Sequence, residues 1–324
     1  MRTPDIVVLG DVNLDWSVRG HLPFRFSELK ENGVITWAPI EELPGGSGLN
    51  FAWFAKRAGY RPVLLAKTGA DSAGHFLRVW LQEAGIVFPV SEDPAFETGR
   101  AFLVRDGNDI RLLVNNLDNA NHKLRTSDIE PHCADIGSCR VLYISGYCIM
   151  DETVPRFRAT SRAMEIASAQ RASGGPIVVF DVVPHRIYER YTFDLFKLLT
   201  KHVQIVISEV ATMRRFLGLG SKSEIIDRAV AEETLGHLKA HYRQCILRWG
   251  PSGCDEQLLW DATTERLKWE ETGHKAANDK RAFGDALAIR ALQTFFEVLP
   301  PLYRIESEAE RKENQRKGDS ESAR

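Results

Sequence analysis

The chain has 324 residues, enough for one large α/β domain with a small attachment or for two modest domains. Hydrophobic residues make up 44% and charged residues 27%; 42 Lys and Arg stand against 44 Asp and Glu, so the formal net charge of −2 holds no basic excess that would make nucleic acid or an anionic membrane the main partner. The five cysteines, Cys133, Cys139, Cys148, Cys245 and Cys254, form no C-x-x-C pair, which argues against a disulfide framework or zinc ribbon and for reduced thiols in a cytoplasmic protein.

Short apolar runs alternate with amphipathic segments. Ile6 to Leu9 reads as a buried strand; it is too short for a signal peptide and is ended by Gly10 and Asp11. Residues 16–43 break the rhythm, with Gly33, Pro39 and alternating Val34, Thr36 and Trp37. A helix follows through Leu49, Ala52, Trp53, Lys56 and Arg57, with Gly59 suited to its C-terminal cap. Val63 to Ala66 is the next strand, and His75 to Ala84 a helix stopped by Gly85. Residues 99–115 read as a hairpin around Gly107-Asn108-Asp109. Val141 to Ile144, Ile177 to Phe180, Val203 to Ile207 and Cys245 to Leu247 complete the strands. Strand and helix in alternation predict a mainly parallel sheet covered on both faces, with the two irregular regions forming a small β layer beside it. From about Ile305 the chain is almost devoid of apolar residues and mixed in charge, which predicts a frayed helix end and a disordered tail.

Three segments carry potential chemistry. In Asn278-Asp279-Lys280-Arg281-Ala282-Phe283-Gly284-Asp285-Ala286, a polar turn opens an apolar helix. Free N–H groups there suit phosphate, and Asp285 is placed to accept a proton from an attacking hydroxyl. Taken alone, this pattern is more readily a helix cap. In Leu43-Pro44-Gly45-Gly46-Ser47-Gly48-Leu49-Asn50, three glycines let backbone approach a ligand, and Asn50 offers donor and acceptor. It is neither a dinucleotide fingerprint nor a Walker A loop, and alone it reads as a tight turn. Gly10-Asp11-Val12-Asn13-Leu14-Asp15 places polar groups just past the first strand, where α/β sheets bind ligands; a solvated loop reads the same way.

In this order the three segments resemble the ribokinase-like (PfkB) carbohydrate kinases. The match includes Gly10, Asn13 and Asp15; Gly45, Gly46, Asn50 and Ala52; Ala66 to Gly74 with Leu81 and Gly85; Thr98-Gly99; and Asn119-Ala120-Asn121. It continues with Asp181, Pro184 and Arg186, with Arg248-Trp249-Gly250-Pro251-Ser252-Gly253, and with Gly284-Asp285. The resemblance implies a three-layer α/β/α sandwich with a mainly parallel central sheet and a small β-sheet lid. Residues 1–304 would form the kinase domain, about 16–43 and 99–115 its lid, and 305–324 the tail. It further implies a phosphotransferase that moves the γ-phosphate of ATP, with Mg²⁺, to a hydroxyl of a sugar, sugar acid or nucleoside. Asp285 would be the general base and the 282–285 loop (Ala282, Phe283, Gly284) the phosphate cradle. Asn13, Asp15, Gly45, Gly46 and Asn50 would hold the substrate, and Ser208, Arg248, Gly250 and Gly253 the nucleotide. A homodimer through the lid is part of the same expectation.

The chain departs from the family pattern at several points. Ala282 stands for a glycine and Phe283 for an alanine. A left-handed backbone at Ala282 would cost about 1–2 kcal/mol, and Phe283 would either crowd a phosphate or point into the core. Ser208-Glu209-Val210-Ala211 replaces Asn-x-x-Glu, so Ala211 supplies no carboxylate for Mg²⁺ and Glu209 is the remaining candidate metal residue. Arg248 stands where threonine is frequent, and an arginine pairs well with phosphates. Ser47 replaces a lysine, and Gly146-Tyr147 a glutamate, found in ribose-phosphorylating members, which moves the expectation away from ribose. The alternative reading is a catalytically impaired member that binds a sugar or nucleotide in a regulatory or sensing role.

Overall fold

A computed structural model describes residues 3–29, 35–108, 111–183, 186–220, 225–273 and 283–300. Gly33, Val34, Asp109, Pro184, the turn Asn278 to Ala282 and the tail 305–324, all named above, lie outside the described residues.

The chain opens on β1 (Ile6–Leu9), in which every residue is buried, as a strand covered on both faces requires. β2 (Asn13–Val18) and β3 (Ile40–Gly45) pair antiparallel, with Asn13 opposite Gly45. α1 (Ser47–Arg57) leads to β4 (Pro62–Leu65). α2 (Ser72–Glu83) is capped by Asp71, whose carboxylate accepts from the Gly74 N–H at 2.8 Å, and buries Ala73, Leu77 and Leu81 at four-residue spacing. β5 (Gly99–Arg105) and β6 (Arg111–Asn115) form the expected hairpin. α3 (Thr126–Ile129) and α4 (Cys133–Ser138) lead into β7 (Val141–Ser145). α5 (Pro155–Ala169) starts on a proline, which is pre-set for a first helical position, and buries Ala159, Ala163 and Ala167 along one stripe. There follow β8 (Ile177–Val182), α6 (Phe193–Leu199), β9 (Ile205–Glu209), α7 (Val210–Phe216) and α8 (Arg228–Leu238). β10 (Gln244–Trp249), β11 (Glu256–Asp261), β12 (Arg266–Glu271) and α9 (Phe283–Thr294) complete the described elements.

Among the described residues the strands form an eight-stranded sheet in the order β12-β11-β10-β9-β8-β7-β1-β4 and a four-stranded sheet in the order β3-β2-β5-β6. From β10 to β4 every pairing in the large sheet is parallel, while β11 and β12 extend it antiparallel. Successive strand residues point to opposite faces. Ile6 and Val8 therefore join the side chains of α1, α2 and α9, including Leu49, Leu77, Ile289 and Leu292. Val7 and Leu9 join Ala159 of α5, Phe196 of α6, Met213 of α7 and Leu235 of α8. The result is a three-layer α/β/α sandwich with a mainly parallel central sheet and a second small sheet.

The second sheet starts earlier and ends later than the alternation of residues 16–43 indicates, because Asn13, Asp15 and Gly45 are themselves ladder residues. The same alternation splits its faces. Asp15 pairs with Ala101, while the next row, Trp16, Phe102 and Val114, lies open to solvent. No helix among the described residues is long and apolar enough to cross a membrane.

Candidate active site

Parallel strands deliver their carboxyl ends to one edge of a sheet, and that edge collects the polar residues here. At the end of β1 the backbone carbonyl of Asp11 accepts from the N–H groups of Gly48 and Leu49, each at 3.1 Å, which ties the first turn of α1 to the strand. The three glycines of that turn serve the chain itself. A Cβ on Gly45 would lie 1.9 Å from the Asp15 carboxylate, one on Gly46 2.5 Å from the Asp11 carbonyl oxygen, and one on Gly48 2.7 Å from the Gly10 backbone. The close approach that sequence reading assigned to a ligand is therefore first an approach of backbone to backbone. Ser47 donates from its hydroxyl to that of Ser145 at the end of β7, at 2.7 Å.

The structure brings Asn13, Asp15, Gly45 and Gly46 together, with Asn50 on the first turns of α1. Asn121 acts as a side-chain strand partner. It accepts from the Val12 N–H at 3.0 Å and donates to the Val12 carbonyl at 3.1 Å and the Asn13 amide oxygen at 2.9 Å, which fixes the amide of Asn13. Asp15 is largely buried, and its Oδ1 accepts no hydrogen bond among the described residues. Burial, and then the negative charge of Asp11, push its carboxyl up to about 7. An unpartnered acceptor of this kind suits a ligand hydroxyl. Sequence reading did not find Arg156, which is buried below this cluster; it donates to the Asp11 carboxylate and, at 2.7 Å, to the Tyr147 carbonyl. Its only sequence signal is a charged residue in the apolar stripe of α5.

The second cluster lies at the ends of β7, β8 and β10 and the start of α9. Asp181 is buried and accepts from the Tyr143 hydroxyl at 3.2 Å. Asp285, in the first turn of α9, is near enough for the two carboxylates to feel each other. Burial, and then the charge of Asp181, push Asp285 up to about 8, against the opposing pull of Arg248 and the Tyr143 hydroxyl. Asp181 is raised to about 6, again chiefly by burial, with Arg248 and Tyr143 pulling it down and Glu209 adding repulsion. The pair titrates as a unit. The Tyr143 ring stacks on Phe51, centroids 3.6 Å apart, next in chain to Asn50, and α1 packs on α9, so the two clusters share one support. Tyr143 and the closeness of Asp181 to Asp285 were not legible in the sequence.

Gly284 packs against Arg248, since an added Cβ would lie 2.8 Å from the Arg248 Nη1. Ala282 lies outside the described residues, while Phe283 opens α9 half-buried. Beside this cluster is a cavity of about 300 Å³, lined by Glu209, Ala211, Ile225, Ile226, Arg248, Trp249, Gly250, Pro251 and Gly253. Gly250 and Gly253 adopt φ of 108° and 76°, values that favour glycine, and so form a turn whose backbone faces the cavity. A Cβ on Gly253 would lie 2.6 Å from a Glu209 carboxylate oxygen. Ser208 does not join the cavity wall; it is 2% exposed, and its hydroxyl donates to the Glu209 carbonyl at 3.0 Å. Among the described residues there is no group of three His, Cys, Asp or Glu able to hold a metal by themselves. Mg²⁺ does not need such a cage, because it is commonly held by one or two carboxylates plus substrate phosphates. Asp181 and Glu209, carboxylates close enough to repel each other, fit that pattern.

A mainly parallel α/β/α sheet with a second small sheet and polar clusters at its carboxyl edge defines the class, and comparison with known proteins agrees. Residues 3–255 match the family model described as pfkB family carbohydrate kinase, and the chain belongs to that family. The matched span ends before Gly284-Asp285. Among solved structures, the chain is similar to a ribokinase from Giardia lamblia (17% identity, TM-score 0.69, covering 91% of this chain and 84% of that one). It is also similar to an adenosine kinase from Sinorhizobium meliloti (17%, 0.67, 83% and 80%) and to a fructokinase with bound ATP from Xylella fastidiosa (17%, 0.65, 90% and 82%). No curated protein matches the chain.

Proposed function

We propose that the protein is an ATP-dependent kinase that phosphorylates a hydroxyl of a sugar, sugar acid or nucleoside, with Asp285 as the general base. The observation that carries this reading is the carboxylate of Asp285 at the start of α9, beside a cavity with apolar walls and a glycine turn. Ile225, Ile226, Trp249 and Pro251 suit a flat base, and the Gly250–Gly253 turn suits phosphates. Asp15, Asn13, Asn50 and the Gly45-Gly46 backbone hold the acceptor, and the unpartnered Oδ1 of Asp15 accepts a hydrogen bond from one of its hydroxyls.

In the transfer the acceptor oxygen forms a bond to the terminal phosphorus. Its proton passes to the Asp285 carboxylate, and the bond to the bridging oxygen breaks with its electron pair leaving on the diphosphate. Asp181 and Glu209 would hold Mg²⁺, which when bound supplies positive charge to the phosphate oxygens and lowers the raised carboxylates. Residues 1–304 act as the kinase unit, the second sheet closes over the acceptor to exclude water, and the exposed row Trp16, Phe102 and Val114 supports pairing of two copies through that sheet. A cytoplasmic setting suits the free cysteines.

The direct test is ADP release from ATP and Mg²⁺ across a panel of sugars, sugar acids and nucleosides. Acceptor-dependent turnover is expected for one class. Nucleotide binding with no turnover on any member would instead favour the impaired, ligand-binding reading, to which Ala211 and Phe283 point. A second result follows from the carboxylate pair. Asp181 raises Asp285, and Asp181→Asn removes that charge while Arg248 and Tyr143 still favour the carboxylate. In the Mg²⁺-free protein the carboxyl of Asp285 should therefore titrate at lower pH in the variant, as read by carbon-detected NMR of its side chain. An unmoved titration would show that the two carboxylates do not couple.

A further inference from the structure

Arg248 occupies a position that a merely structural arginine would not leave as it is. It lies on β10 between Glu209 of β9 and Gln257 of β11, and it is 6% exposed. One end of its guanidinium, Nη1, lies against Gly284 at the start of α9. The residue also lines the cavity assigned above to the nucleotide. Its charge is felt by both Asp181 and Asp285. Yet neither Nε nor Nη2 donates a hydrogen bond to any group among the described residues. Buried donors are rarely left in that state. The two atoms are also not an arbitrary pair. Nε and Nη2 form one edge of the planar fork, whose parallel N–H bonds match two oxygens of a single phosphate or carboxylate. No carboxylate among the described residues fills this edge, although Asp181 and Asp285 are close by. What the edge lacks, among the described residues, is a doubly coordinating oxyanion.

We propose that the Nε–Nη2 edge of Arg248 grips two oxygens of the terminal, transferring phosphoryl group, which makes Arg248 a catalytic residue and the one that distinguishes a nucleoside triphosphate from a diphosphate. The assignment rests on the nucleotide reading of the cavity and sharpens it. The Gly250–Gly253 turn serves the phosphates common to donor and product, and Arg248 serves the one that is transferred. As that group moves to the acceptor its charge spreads over the equatorial oxygens, and a fixed guanidinium against Gly284 is already aligned to stabilise them without reorganisation.

The test is calorimetric titration of the full-length wild type, Arg248→Gln and Arg248→Lys with the non-hydrolysable triphosphate adenylyl imidodiphosphate and, separately, with ADP, both with Mg²⁺. Arg248→Gln should lose roughly tenfold to a hundredfold in affinity for the triphosphate, the range of a charged hydrogen-bonded contact, and less than about threefold for ADP. Arg248→Lys keeps the charge but not the fork and should fall between the two. Equal loss for both nucleotides, or none for either, overturns the proposal. If Arg248→Gln does not fold, as read by circular dichroism, Arg248→Lys decides by the same criterion. A wild type that binds neither nucleotide overturns the nucleotide reading of the cavity itself, an outcome distinct from a wild type that binds both and a variant that shows no selective loss.

Discussion

Asp285→Asn is expected to lower kcat by roughly a hundredfold to ten-thousandfold, the usual worth of a positioned general base, while nucleotide affinity changes by no more than a few-fold. The amide keeps the size of the side chain but cannot take the acceptor proton. Loss of activity through unfolding would look different, and stability tells the two apart. The carboxyl of Asp285 is raised from the ordinary carboxylate range to about 8, by burial first and Asp181 second. Between those values the folded protein holds a proton that the unfolded chain has released, so stability declines as pH rises across that window. Asparagine carries no such liability. The melting temperature of the variant at pH 8 should therefore equal or exceed that of the wild type, even as turnover collapses. An inactive variant that melts clearly lower would point to a structural role for Asp285, and an active one would remove it from the chemistry.

Gly48→Ala is expected to destabilise the fold strongly. The new Cβ would meet the Gly10 backbone at 2.7 Å, and the partner cannot rotate away because it is main chain at the end of a fully buried strand. Relief requires α1 to lift from β1. That breaks the two bonds from Gly48 and Leu49 to the Asp11 carbonyl and displaces Asn50. Overpacking of this kind costs about 3 kcal/mol, which for a chain of this length lowers the melting temperature by roughly 5 °C. The contrast is Gly236, on the exposed side of α8, where an added Cβ meets nothing within 4 Å. Gly236→Ala should stabilise by about 0.5–1 kcal/mol, because alanine loses less conformational freedom in a helix. Thermal melts of the two variants check the pair. Equal effects would mean that the Gly10–Gly48 contact is not a constraint.

The buried strands Ile6 to Leu9, Val141 to Ile144 and Ile177 to Phe180 were legible because a strand covered on both faces needs an unbroken apolar run, and a run is a local property. The hairpin of 99–115 was legible for a similar reason, since a glycine turn between two strand-like runs is written in consecutive residues. The antiparallel β11 and β12 were not, because their placement at the sheet edge depends on β10 being there first.

The candidate site divides the same way. Glycines, an asparagine and aspartates at characteristic spacings marked Gly45, Gly46, Asn50, Asp15 and Asp285, because backbone turns and helix starts constrain residue type locally. Spacing along the chain carries no distance across a sheet. Only the tertiary structure decided that Asp181 lies by Asp285 and that Asn121 fixes Asn13 across 108 residues. It also decided that Arg156 neutralises Asp11 and that one edge of Arg248 finds no partner among the described residues. The sequence determined the kind of fold and the residues able to do chemistry. The packing of β7, β8, β10 and α9 set their charges and partners, because burial and mutual repulsion act only between groups that folding brings together.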